Sequence, residues 1–214
     1  MERGQNQLAD KKKSTIIKDA LALFAITLVA GLALGFVYEL TKPVIEANEL
    51  AAKTAAYATV YTAADSFTES DDLTTAVADA ANILANSGTE GTTIEEAYQA
   101  VDASGNVIGY VMSVVSSKGF GGEIKASLGV TLEGEVTGIE FLTLNETAGL
   151  GSKAADSSYK DQYLGKVVDS FTVTKDGASS DDQINAISGA TITSNAVTNI
   201  VNAGVYFAKT VGGN

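Results

Sequence analysis

The 214-residue chain contains Asn185-Ala186-Ile187-Ser188-Gly189-Ala190-Thr191-Ile192-Thr193-Ser194, a run of small and hydroxyl-bearing residues that opens onto a helical pattern. Gly189 and Ala190 allow a ligand to come close to the backbone. Free N–H groups and the positive end of a helix dipole favour a phosphate there. Thr191 and Thr193 can donate hydrogen bonds to such a phosphate, or one of them can be esterified by it. No P-loop lysine follows and no G-x-G-x-x-G fingerprint is present, so ATP and NAD sites of those types are not supported. The same residues permit a simpler reading, in which Thr193 or Ser194 only caps the helix.

Composition narrows the chemistry. The chain has no cysteine, histidine or tryptophan and a single proline. Thiolate nucleophiles, Fe–S clusters, cysteine/histidine zinc sites, histidine bases and histidine-ligated haem are therefore excluded. Redox or group-transfer work must be carried by a bound organic cofactor. With 26 acids against 14 bases, a formal charge of −12, the chain lacks the basic footprint that nucleic acid requires.

Two other segments are glycine-rich: Gly119-Phe120-Gly121-Gly122-Glu123-Ile124 and Asn145-Glu146-Thr147-Ala148-Gly149-Leu150-Gly151. Read alone, their glycines relieve a bend between strands or serve ordinary turns, and Glu146 is a solvated loop acid. Together with Ser188-Gly189-Ala190-Thr191, however, the three segments resemble the FMN-binding domain family: its S/T-G-A-T/S flavinylation motif, its "GyGGpI" stretch and its "ETPGLG" loop. The resemblance implies that FMN is joined through its phosphate to the hydroxyl of Thr191. It also implies cofactor-binding roles for Ser188, Gly189, Ala190, Thr193 and Ser194 around that point, and for Glu146, Thr147, Gly149, Leu150, Gly121 and Gly122 in the two loops. Two positions depart from the family pattern, Asn185 where aspartate is common and Ala148 where proline is usual.

Within that family the order of the segments resembles the G subunits of Rnf electron transport complexes. The C subunit of sodium-translocating NADH:quinone reductase shares the plan but is usually longer. The implied role is electron relay through covalent FMN in an ion-translocating ferredoxin:NAD oxidoreductase. The implied partners are integral membrane and Fe–S subunits, and a flavin transferase that attaches the cofactor. Two other readings stay open: an FMN carrier of a related quinone reductase or extracellular electron-transfer system, and a non-redox acidic surface domain that binds a partner or wall polymer.

The elements that must position these residues begin with a membrane segment. Residues 20–38 are 19 consecutive uncharged residues. As a helix they span roughly 28 Å, close to the hydrocarbon thickness of a bilayer. The run exceeds a signal-peptide core and ends in Val37-Tyr38-Glu39 rather than an A-x-A site, so it reads as a retained anchor. Gly31 and Gly35 form a G-x-x-x-G pair for close helix approach, although glycine is common in such helices. Arg3, Lys11, Lys12, Lys13 and Lys18 precede the run and place the N-terminus in the cytoplasm. The first 19 residues hold five bases and three acids, leaving 9 bases and 23 acids, a formal −14, for the rest of the chain.

After the anchor, Pro43 suits the first turn of a new helix over 44–65, with Val44, Leu50, Ala51, Ala55 and Val60 inward. Residues 71–86 read as a shorter helix. Period-two patterns at 97–102 with 107–115, and at 124–131 with 136–144, read as hairpins; 167–173 adds a strand and 156–163 a short helix. Val197, Ile200, Val201, Gly204, Val205 and Ala208 mark an amphipathic final helix. The expected fold is α+β: a cytoplasmic tail (1–19), one transmembrane helix (20–38), a helical connector (39–95) and an extracytoplasmic FMN-binding domain (96–214) whose antiparallel sheet is flanked by helices.

Overall fold

A computed structural model describes the backbone of residues 2–213 and the side chains of 18–42 and 53–213. It divides into two units, Met1–Ala51 and Ala52–Asn214. Helix α1 (Glu2–Val60) includes the span Lys18–Lys42, whose mean hydropathy of 2.5 and length make it able to cross a membrane; none of it is buried. Inside that span Thr27 Oγ1 donates to the carbonyls of Leu23 and Phe24, both at 3.0 Å, so its hydroxyl needs no outside partner. The backbone stays helical through Pro43, where the sequence suggested a new start. The side chains of Arg3, Lys11, Lys12, Lys13, Pro43, Val44, Leu50 and Ala51 lie outside the described residues.

The second unit is built on a five-stranded antiparallel sheet in chain order: β1 (Ser66–Thr68), β2 (Thr92–Val101), β3 (Val107–Ser116), β4 (Ile124–Thr131) and β5 (Val136–Leu144). The last three have the boundaries read from alternation, or one residue more. β2 begins five residues earlier than the 97–102 pattern indicated. β1 was not anticipated; its Phe67 packs edge-on against Tyr57, with ring centroids 5.9 Å apart. The stretch 71–86 is broken into α2 (Asp71–Ala78), α3 (Ala80–Ile83) and a 3-10 turn. Instead of one helix over 156–163, a 3-10 turn at Gly151–Ala155 leads into α4 (Ser157–Lys160). β6 (Thr172–Thr174) is shorter than its predicted strand and pairs in parallel with an unpredicted β7 (Gln183–Asn185). The chain closes on α5 (Thr191–Gly212), and all six residues of its predicted stripe are buried.

The two sheet faces have different covers. On one, α5 packs over a core that includes Met112, Val114 and Leu128. Val111 points the other way, as strand alternation requires, and joins Tyr57, Val60, Tyr61 and Ala100 in a separate cluster. Thus Ala56, Tyr57 and Val60 are the inward residues of the last turns of α1, while Ala55 is exposed. Two paired glycines admit that backbone: a Cβ on Gly129 would lie 2.5 Å from Val60 O and 2.3 Å from Thr137 Oγ1, and one on Gly138 would lie 2.5 Å from Val60 Cα. Thr137 Oγ1 donates to Val60 O at 2.6 Å, and Tyr61 OH donates to Ile108 O at 2.6 Å. Gly129→Ala is expected to destabilise the second unit by about 1–3 kcal/mol through overpacking, read by urea unfolding. An unchanged midpoint would mean that the close approach is not needed.

Candidate functional site

The β4–β5 hairpin creates the site by its register. Ile124 pairs with Leu144, so the loop before β4 and the loop after β5 emerge side by side. Gly121 lets them touch: a Cβ there would stand 1.9 Å from Asn145 O. Glu146 ties them, its Oε1 accepting the Phe120 N–H at 2.8 Å. Its other oxygen, Oε2, is buried and has no hydrogen-bond partner among the described residues. A Cβ on Gly151 would fall 2.7 Å from that oxygen and 2.6 Å from Thr193 Oγ1, so glycine there keeps the wall open.

The N-terminus of α5 closes the third side of a cleft of about 340 Å³. Phe120 comes from the first loop; Glu146, Thr147, Leu150 and Gly151 from the second; Gly189, Ala190, Thr191, Ile192 and Thr193 from the turn and helix. Among the described residues, no lysine or arginine lines it. The N-cap residue, Ala190, provides no side-chain cap, and the first turn of α5 holds no acid. Its first N–H groups thus have no side-chain cap among the described residues. Thr191 begins the helix half-exposed, and its hydroxyl has no partner among the described residues. Thr193 is 1% exposed. Beyond α1, the exposed large apolar residues among those described are Phe120, Leu150, Val167 and Ile192, and all but Val167 rim this cleft.

Seven of the twelve predicted site residues thus meet here: Glu146, Thr147, Leu150, Gly189, Ala190, Thr191 and Thr193. Gly121 and Gly122 are exposed and do not line the cleft; Gly121 packs on the Asn145 backbone. Gly149 shapes the second loop and donates its N–H to Ser152 Oγ at 2.9 Å. Ser194 is fully buried beneath the turn. Ser188 turns to a separate cleft of about 230 Å³, shared with Lys153, Tyr159, Gln162 and Asn185. Phe120, Gly151 and Ile192 are not among the predicted site residues. The first two stood inside the glycine segments, and Ile192 was marked by being apolar in a first turn yet off the buried stripe of α5.

Asn185 has a local job. Its Oδ1 accepts the Ala178 N–H at 2.7 Å, and its own N–H donates to Gln162 Oε1 at 2.8 Å. An aspartate could accept the same Ala178 bond. Beneath the helix start, Tyr159 OH donates to Ser194 O at 3.3 Å and meets Tyr163 OH at 3.1 Å. Burial pushes both phenols up from their ordinary range, which keeps them as neutral hydrogen-bonding groups.

The chain is similar to known proteins over most of its length. The FMN-binding domain family matches residues 119–205, and the RnfG N-terminal region matches residues 6–60. The G subunit of the Na(+)-translocating ferredoxin:NAD(+) oxidoreductase complex of Acetobacterium woodii is 32% identical over 194 residues, covering 89% of this chain and 90% of that protein. Its counterpart in the proton-translocating ferredoxin:NAD(+) oxidoreductase complex of Clostridium ljungdahlii is 30% identical over 203 residues, covering 92% and 97%. Among solved structures, Shewanella oneidensis NqrC aligns with a TM-score of 0.44 at 20% identity, covering 55% of this chain and 61% of that one.

Proposed function

We propose, from the premise that this chain belongs to the family of G subunits of ion-translocating ferredoxin:NAD(+) oxidoreductase complexes, that it is a membrane-anchored electron-relay subunit carrying FMN as a phosphoester on Thr191. One observation carries the attachment. Thr191 presents an unpartnered hydroxyl at the uncapped start of α5, on the wall of the cleft rimmed by Phe120, Leu150 and Ile192. When bound, the flavin supplies the redox chemistry that no side chain of this chain can.

The residues present fit that group. The first-turn N–H groups of α5 and its dipole favour a phosphate. Phe120, Leu150 and Ile192 offer apolar cover to a ring system and keep water from it. The buried Oε2 of Glu146 needs a donor, and a hydroxyl or ring N–H of FMN can provide one. Since no cationic side chain among the described residues lines the cleft, a phosphate is held there by neutral donors. A covalent ester supplies the permanence that this weak anion site lacks, and a dissociable cofactor outside the cell would be diluted away.

The span within Lys18–Lys42 anchors the subunit, with residues 1–19 in the cytoplasm and the compact unit outside. Its partners are the integral membrane and Fe–S subunits of the complex, and the flavin transferase that modifies it. Intact-mass analysis of the full chain produced together with a flavin transferase is expected to show one FMN less one water. A colourless, unmodified product would sink the reading.

A further inference from the structure

Ser194 does not touch the cleft. Its side chain is fully buried, and its Oγ makes two hydrogen bonds, accepting the Ile187 N–H at 2.9 Å and donating to Ala190 O at 2.9 Å. Those two groups bound the turn Ile187-Ser188-Gly189-Ala190, which is closed by Ala190 N–H to Ile187 O at 2.9 Å. Gly189 sits at the third position with φ +77°, where a side chain would be strained. One hydroxyl therefore clamps both ends of the turn whose next residue is Thr191. The helix explains the reach: residue 194 lies about one turn above Ala190, and helical side chains lean back toward the N-terminus. From behind, Ser194 O accepts Thr198 Oγ1 at 2.9 Å and Tyr159 OH at 3.3 Å, so the clamp is itself held.

We infer that Ser194 is a positioning residue for flavin attachment: its hydroxyl locks the 187–190 turn so that the Thr191 hydroxyl is presented in one orientation to the attaching enzyme. The inference rests on Thr191 being the acceptor. It assigns Ser194 to the geometry of the acceptor, neither to cofactor contact nor to helix capping. Losing the clamp leaves the nucleophile chemically intact but poorly oriented, and misorientation alone costs one to two orders of magnitude in rate.

The test compares the full chain, Ser194→Ala and Thr137→Val, the last of which removes one side-chain-to-backbone bond on the opposite sheet face. Each is given FAD and a flavin transferase, and attached flavin is followed by intact mass. In that reaction the Thr191 Oγ–P bond forms, the phosphoanhydride breaks, and AMP and a proton leave. Amide hydrogen exchange of residues 187–191 is measured on the unmodified proteins. Ser194→Ala is expected to slow attachment about tenfold or more while reaching the same final stoichiometry. It is also expected to raise exchange at the turn about fivefold, the equivalent of one ordinary hydrogen bond. Thr137→Val should change neither. Attachment at the wild-type rate, unchanged exchange at 187–191, or faster exchange spread evenly over the sheet would each overturn the clamp. Should wild-type protein take up no flavin, the Thr191 reading falls, and the exchange arm still decides the clamp.

Discussion

Thr191→Val is expected to take covalent flavin from one per chain to none while leaving the fold intact. The substitution removes a hydroxyl and little else. Thr191 is half-exposed at the first position of α5 and its hydroxyl has no partner among the described residues, so no internal hydrogen bond is lost. The stability change should stay within about 0.5 kcal/mol, the range of ordinary surface substitutions. Thr191→Ser keeps the nucleophilic oxygen and is expected to stay modified. Thr193→Val is the informative neighbour: at 1% exposure, with its Oγ1 against Gly151, that hydroxyl is closed to an attaching enzyme, so flavin content should persist. Intact mass with in-gel flavin fluorescence after denaturation reads all three. Flavin retained on Thr191→Val would move the ester elsewhere and remove the basis of the proposed site.

The sequence separated the two threonines only by resemblance, because both stand in a hydroxyl-rich turn before a helix. The structure separates them physically by burial, Thr191 being half-exposed and Thr193 closed off. Much else was legible because it depends on periodicity. The strands β3, β4 and β5, and the buried stripe of α5, follow from alternation and from i, i+3, i+4 spacing, which hold whatever lies around them. The strand register then made part of the site derivable, since pairing Ile124 with Leu144 obliges the two glycine segments to be neighbours.

What was not legible depends on partners distant in sequence. β1 is three residues long and shows no period; it exists because Phe67 meets Tyr57 and because Ser66 to Thr68 pair with Val101 to Gln99. β7 forms only against β6, across the loop 175–182. Glu146 read as a solvated acid, yet its Oε2 is buried by the approach of Gly151 and the tie to Phe120. Ser194 is indistinguishable from a helix cap by type and position; only its two bonds to Ile187 and Ala190 show what it holds. Glycine content signalled close approach without saying whether to backbone or ligand. At Gly121 the near neighbour is the Asn145 backbone, and at Gly151 it is the cleft wall.

Membrane orientation is expected to give an all-or-none result by cysteine labelling, for which the chain is suited because it contains no cysteine. Asp176→Cys, in an exposed turn of the second unit, should react with a membrane-impermeant maleimide on intact cells. Lys11→Cys should react only after permeabilisation. The physical basis is the division of charge across the apolar span, with five bases among the first 19 residues and a formal −14 after them. Basic residues close to a short N-terminal flank resist translocation, whereas acidic content contributes little to orientation. In the proposed orientation the five bases hold the N-terminus inside, and the −14 has little part in fixing it. The span itself holds no charged side chain between Asp19 and Glu39, so nothing within it opposes insertion. Labelling of Lys11→Cys on intact cells would invert the arrangement, bringing the Thr191 site to the cytoplasm. There the dilution argument for covalent attachment would no longer apply. Labelling of Asp176→Cys alone, with the protein extracted from membranes by alkaline carbonate, would show that the apolar segment is not retained as an anchor.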